Sequence, residues 1–209
     1  MKWNVESIGF LHRPDVFTGS FDNAKMQARH EEQMRAKLEG LKAALDSETD
    51  PLAAMKLLNV RDHHQFFLNN KGHFREAGKF EEAVLTLYGR FNAPFASGGD
   101  ASEWNRLFAE CDRARLSSLG IPVTFSTATV YRGSLTGYQR GLSWTPERQK
   151  AEGFAKRWQD PSRGGGELYE MDISAGNILV FLQHRHEQEI IVEPDFIRTA
   201  AIRTFIPGR

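Results

Sequence analysis

Cysteine is almost absent from this chain: Cys111 is the only one in 209 residues. That excludes an intrachain disulfide framework and any zinc site built from several thiolates. No element near Cys111 supplies an activating base, so it reads as a partly buried structural thiol rather than a nucleophile. Neither sign of charge dominates. Lys plus Arg number 27 and Asp plus Glu 27, for a formal net charge of zero. Nucleic-acid binders carry a basic excess or a basic stripe, so stable duplex binding is not expected. No apolar run approaches the roughly 18 residues that read as a membrane span. The opening stretch MKWNVESIGFLHRPD lacks a signal-like apolar segment. A cytoplasmic protein without membrane contact is the simplest expectation, although export by a route without a classical signal, or delivery with a larger particle into a target cell, is compatible with it. Internal repeats and low-complexity tracts are also lacking, and nothing in the pattern speaks to oligomeric state.

What is present is enough apolar material for one sizeable core, or one core with a helical annex: 40% of residues are hydrophobic and 26% charged. Residues 1–21 read as an irregular arm anchored by Trp3, Val5, Ile8, Phe10 and Phe17, with Pro14 and Gly19 opposing a continuous helix. Met26, Met34, Leu38, Leu41 and Leu45 recur at helical spacing and predict the longest helix over 22–46, packed into a helical subdomain. Asp50-Pro51 opens a second helix as N-cap and first-turn proline, running toward Leu68. A third is expected over 74–88, weakened by Gly78, then a loop over 91–99, and a fourth helix from Glu103 to Ser117.

From Pro122 the pattern turns to strands. They are expected over 123–132, 167–173, 177–182, 189–192 and 200–206, with a short helix over 147–158 introduced by Thr145-Pro146. Turns are expected at 161–166, 174–176 and Pro194-Asp195. The chain is therefore read as α+β, with a helical N-terminal part, residues 1–118, followed by a β-rich part, residues 119–209.

Histidine does not assemble a metal centre in this sequence. His63 and His64 are adjacent on a predicted helix and face apart, and His73 lies beyond a helix end. His184 and His186 alternate near a strand but lack further ligands, so no metal is expected.

The residues suited to chemistry lie in the β-rich part. Arg132, beside Gly133, could hold a phosphate or carboxylate through its planar fork. Gly133 would permit a turn or a close approach to a ligand. Ser143 and Thr145 have period-two spacing and on extended backbone point the same way. One could bind a ribose hydroxyl and the other order a carboxylate, while Thr145 could equally serve as a helix cap. Trp144, between them, reads as core, and Tyr131 and Tyr138 are the better stacking candidates. Glu187 and Glu189 also have period-two spacing, at the head of the apolar run Ile190-Ile191-Val192. A carboxylate beside a core strand is costly without a partner or a task. Near a ribose it can stabilise the positive charge that develops as a glycosidic bond breaks, while a second one aligns or deprotonates the attacking group.

Taken in order, Tyr131-Arg132-Gly133, Ser143-Trp144-Thr145 and Glu187-Gln188-Glu189 resemble the ADP-ribosyltransferase family, in its branch with an arginine, a serine motif and a Glu-x-Glu motif. The resemblance covers residues 120–206. It implies a split mixed β-core that binds NAD without a Rossmann fingerprint. By that resemblance Arg132 grips the diphosphate or a nearby ribose. Ser143 orders the nicotinamide-ribose side and Glu189, and Thr145 supports the strand geometry. Glu189 holds the ribose and stabilises an oxocarbenium-like transition state. Glu187 positions or activates a protein acceptor, in related enzymes often an arginine side chain. The separation from Arg132 to Ser143 is short, so any insertion after the first strand is small, and Tyr138 lies within it. The expected activity is mono-ADP-ribosyl transfer with nicotinamide release. An NAD glycohydrolase using the same residues, and a non-enzymatic interaction module, are the alternatives.

Overall fold

The computed structural model describes residues 2–9, 21–90, 100–158, 162, 165–184 and 187–205. The chain divides into two compact units, Met1–Asp100 and Ala101–Arg209.

The first unit is helical. Asn23 caps α1 (Ala24–Ser47), its side chain accepting from the Lys25 amide. As the Asp50-Pro51 pair predicts, α2 (Pro51–Leu57) opens with Asp50 accepting from the Leu52 and Ala53 amides at 2.8 and 2.9 Å. The expected continuation to Leu68 is broken. Leu58 and Asn59 are extended, a single 3-10 turn spans Val60–Asp62, and α3 (His63–Asn69) follows. The third predicted helix is also divided, into α4 (Lys71–Glu76) and α5 (Phe80–Tyr88). Gly78 sits between them at φ 65°, a left-handed position that glycine fills without steric cost.

These breaks fold short helices around an aromatic core. Phe66, Phe67, Phe74 and Phe80 are all buried, with Phe67 centred 5.1 Å from Phe74 and 5.3 Å from Phe80. The described part of the N-terminal arm packs on this core as expected. Trp3 and Ile8 are buried, and the Trp3 indole N–H donates to the Leu45 carbonyl at 2.9 Å. Asn4 and Asn70 exchange hydrogen bonds, both at 2.8 Å. Phe10, Pro14, Phe17 and Gly19 lie outside the described residues, as does the predicted loop over 91–99. Along α1 only Leu45 is buried, and Met26 is 56% exposed.

The second unit is α+β. Its helices α6 (Ala101–Ala109) and α7 (Arg113–Ser118) replace the single helix predicted over 103–117. The break falls at Cys111-Asp112, because Asp112 leaves the helix to cap α7 by accepting from the Arg115 amide at 2.9 Å. Cys111 is half-buried, its thiol donating to the Leu107 carbonyl. Both helices belong with the strands that follow. The Arg113 guanidinium donates to the carbonyls of Gly176 and Ile178, and the Ile121 amide donates to the Phe181 carbonyl at 2.7 Å.

Among the described residues, six strands form two three-stranded sheets. One has the order β1 (Thr127–Leu135), β3 (Gly166–Ser174), β6 (Arg203–Phe205); the other β2 (Ser143–Trp144), β5 (Glu187–Val192), β4 (Ile178–His184). Mixed pairing was expected, but each described ladder is antiparallel. The hairpin joining β4 to β5 accounts for one of these, since a short connection can only reverse the chain. The sheets meet at an isolated bridge, where Tyr131 and Thr145 exchange backbone hydrogen bonds of 2.7 and 2.8 Å. Helix α8 (Arg148–Lys156) lies on the first sheet. It covers the face of β1 that carries Gly133, and a Cβ there would stand 1.9 Å from the Ala151 carbonyl oxygen. Pro194-Asp195, expected as a turn, instead opens α9 (Pro194–Thr199), with Glu193 as N-cap accepting from the Phe196 amide at 2.9 Å. No helix among the described residues is long and apolar enough to cross a membrane.

Candidate functional site

Side chains alternate across a strand, so Val130, Arg132 and Ser134 share one face of β1, and Tyr131, Gly133 and Leu135 the other. The second face belongs to α8. Gly133 is therefore mid-strand, paired with Leu168, which excludes the turn among its two expected roles. Its missing side chain is explained by the close approach of the α8 backbone at Ala151 and Ala155. Tyr131 is half-buried on that same face, and its backbone forms the bridge to Thr145.

Arg132 occupies the opposite face, across from Tyr169 in the β1–β3 ladder. Its Nε donates to the Tyr138 carbonyl at 3.2 Å and its Nη1 to the Ser143 carbonyl at 2.8 Å. The guanidinium packs against Gly141, where a Cβ would come within 2.4 Å of Cζ. Two carbonyls from opposite ends of the 138–143 segment thus fix the plane of the arginine, and the absence of a side chain at Gly141 makes room for it. Tyr138 is 52% exposed, so its backbone serves Arg132 while its ring meets solvent.

The second sheet brings the serine and the carboxylates together. Ser143 pairs with Ile191 and Trp144 with Ile190, which places Glu189 diagonally across from Ser143 on one face. The Ser143 hydroxyl donates a hydrogen bond to the Glu189 carboxylate. Glu189 is half-buried and pairs in the ladder with Leu182; Glu187 is exposed and pairs with His184 at the end of the β4–β5 hairpin. Both carboxylates stand on the same side of β5. Trp144 is buried as expected, with its indole N–H donating to the Gly141 carbonyl at 2.8 Å. Thr145 is buried at the seam between the sheets, its hydroxyl accepting from the Glu147 amide at 3.1 Å. It sits just before the N-cap of α8, which is Glu147. Arg185 and His186 lie outside the described residues.

Three features of this region carried no sequence expectation. Leu135-Thr136-Gly137-Tyr138 closes a turn, with the Tyr138 amide donating to the Leu135 carbonyl at 3.0 Å and Gly137 at φ 84°, the glycine position of a type II turn. Arg140 anchors the same connection to the end of α9, donating to the carbonyls of Ile197 and Arg198 at 2.5 and 2.9 Å. Tyr169 is buried and accepts from the Gly137 amide at 3.0 Å while donating to Glu167 at 2.5 Å. Burial, and then its bond to Glu167, pushes the Tyr169 phenol up to about 12, with Arg132 acting in the opposite direction. The phenol is thus a neutral donor throughout the physiological range. A turn glycine and an acidic-proline helix start were visible signals for two of these features; the pairing of Tyr169 with Gly137 depends on strand register.

Among the described residues no group of three or more His, Cys, Asp or Glu side chains could hold a metal ion. His63 instead bridges the first unit's core. Its Nε2 contacts the Leu58 carbonyl at 3.1 Å and its Nδ1 the Arg90 guanidinium at 2.7 Å, an arrangement that suits the neutral ring. Burial first, with the Arg90 charge adding to it, holds its pKa below the usual histidine value.

No family model, curated protein or solved structure matches the chain.

Proposed function

We propose that the protein is an NAD-dependent mono-ADP-ribosyltransferase that moves ADP-ribose to a protein acceptor, an arginine side chain by the Glu-x-Glu resemblance, with release of nicotinamide. The observation that carries this reading is the hydrogen bond from the Ser143 hydroxyl to the Glu189 carboxylate, formed across paired strands. A serine used this way orients a carboxylate without neutralising it. Such a carboxylate can accept from a ribose hydroxyl and stabilise positive charge at the anomeric carbon. The donor set fits the cofactor: a fixed guanidinium, suited to a diphosphate, stands on the arginine whose Nη1 is bound to the backbone of the same Ser143.

In this reading Arg132 binds the diphosphate and Ser143 holds Glu189 against the nicotinamide ribose. Glu189 stabilises the oxocarbenium character that develops as the bond from the anomeric carbon to the nicotinamide nitrogen breaks. The electron pair of that bond leaves with nicotinamide. Glu187, exposed on the same side of β5, aligns the acceptor nitrogen and takes the proton it loses on bonding to the anomeric carbon. The split β-core of the ADP-ribosyltransferases is proposed for the two sheets joined at Tyr131 and Thr145.

Calorimetric titration with NAD tests the cofactor assignment. Wild type is expected to bind NAD, and Arg132→Ala to bind it about tenfold or more weakly, the scale of losing one charge-assisted contact. Equal affinity in both proteins would remove Arg132 from the site, and no binding to wild type would remove NAD.

A further inference from the structure

Building on the proposed NAD site, we infer that Tyr169 is a positioning residue for Arg132, acting through the Gly137 turn. The chain of contacts is continuous. Tyr169 lies opposite Arg132 in the β1–β3 ladder and is buried, so its ring cannot swing away. Its phenolic oxygen accepts the Gly137 amide proton at 3.0 Å. In a type II turn that amide points out of the turn's own hydrogen-bond ring and needs an external acceptor. The next residue, Tyr138, presents the carbonyl that accepts from Arg132 Nε at 3.2 Å and from the Ser134 hydroxyl at 3.0 Å. The orientation of the Gly137–Tyr138 segment therefore sets the direction of the carbonyl that holds the arginine. Glu167 completes the arrangement. It accepts a hydrogen bond from the phenol at 2.5 Å, leaving a phenol lone pair directed at Gly137. Removing only the hydroxyl would leave the Gly137 amide without its acceptor and release the turn, while the Tyr169 ring keeps filling the core.

Tyr169→Phe tests this with two readouts. The first is the Nε–H resonance of Arg132 in nitrogen-15 NMR spectra, assigned by its loss in Arg132→Lys. It is expected to be dispersed and slow to exchange in wild type, and to shift and exchange about tenfold faster in Tyr169→Phe. The second is steady-state nicotinamide release, for which the KM for NAD is expected to rise about tenfold with kcat little changed. A merely structural loss of folded protein would lower kcat and leave KM alone. An unchanged Arg132 resonance would overturn the inference, and so would a shifted resonance with an unchanged KM. If wild type neither binds NAD nor releases nicotinamide, the enzymatic reading falls, and the Arg132 resonance alone still decides whether Tyr169 orients the arginine. Should Tyr169→Phe fail to fold, Gly137→Ala perturbs the same turn from outside the core, because alanine is disfavoured at φ 84°. It must move the same resonance and the same KM.

Discussion

Replacing Gly133 with alanine requires helix α8 to move. The new Cβ would stand 1.9 Å from the Ala151 carbonyl oxygen and 2.4 Å from the Ala155 amide nitrogen, well inside the 3.4 Å at which ordinary contact begins. These are backbone atoms of a helix, so no rotamer change can relieve them, and the whole turn must lift. Gly166 on β3 makes the same demand, since its Cβ would lie 2.0 Å from the Ala155 carbonyl oxygen. Lifting α8 also uncovers Ala151 and Ala155, both buried. Overpacking of this kind costs about 1–3 kcal/mol, and the rigid obstacle places both variants near the upper end, at about 2–3 kcal/mol each. Because both push the same helical turn, the double variant should lose less than the sum, by about 0.5 kcal/mol or more. Gly153, exposed on the same helix with nothing within 4 Å of its Cβ position, supplies the opposite sign. Gly153→Ala should stabilise by about 0.5–1 kcal/mol through helix propensity and a restricted unfolded chain. Urea unfolding read by circular dichroism measures all four proteins. Losses below about 0.5 kcal/mol for Gly133→Ala, or strict additivity in the double variant, would refute the packing of α8 on β1 and β3.

Three further expectations concern the core and the site. Because His63 has its pKa lowered in the folded state, the unfolded chain binds more protons as pH falls below the ordinary value of 6.5. Stability should therefore be unaffected by this group above that value, fall from about pH 6.5 downward until the folded-state pKa is reached, and fall less in His63→Gln, as urea midpoints at pH 7.5 and 5.5 would show. Ser143→Ala should slow nicotinamide release by about 10- to 100-fold, the range expected from losing about 1.5–3 kcal/mol of hydrogen bonding to a charged group; an unchanged rate would separate the Ser143–Glu189 contact from catalysis. Glu187→Gln should reduce transfer to an acceptor by about tenfold or more, consistent with loss of a positioned base, and affect NAD hydrolysis less. Equal losses, measured on one preparation, would deny Glu187 its acceptor-side role.

The sequence was most legible where a residue's local chemistry decides its structure. Asp50-Pro51 starts α2 because a carboxylate and a proline suit the first turn wherever they occur. Glu193-Pro194 carries the same signal, yet its short helix was read as a turn, since six residues leave no room for a helical apolar period. Helix ends inside long apolar patterns were lost for a related reason. Periodicity runs unbroken through Leu58, Gly78 and Cys111, while the chain turns at each to close a core or satisfy a cap. In the site, period-two spacing placed Glu187 and Glu189 on one side and Trp144 in the core, because alternation is a local property of strands. For Gly133 a turn or a close approach to a ligand was the expectation; the approach that occurs is by the backbone of a helix, whose position against β1 no local pattern reveals. Tyr169, Gly141 and Arg140 were missed because their partners, Gly137, Arg132 and the end of α9, come together only through strand register and loop closure.

The proposed role of Glu189 in ADP-ribosyl transfer from NAD is open to one direct measurement. Purified wild type and Glu189→Gln would be incubated with NAD labelled on its adenylate side and a cell lysate, following label on macromolecules and nicotinamide release together. Wild type should label protein and release nicotinamide, and Glu189→Gln, folded to the same extent, should do neither above about 1% of that level, in keeping with removal of a transition-state charge. Comparable labelling by Glu189→Gln would contradict the claim, as would wild type that neither labels protein nor releases nicotinamide.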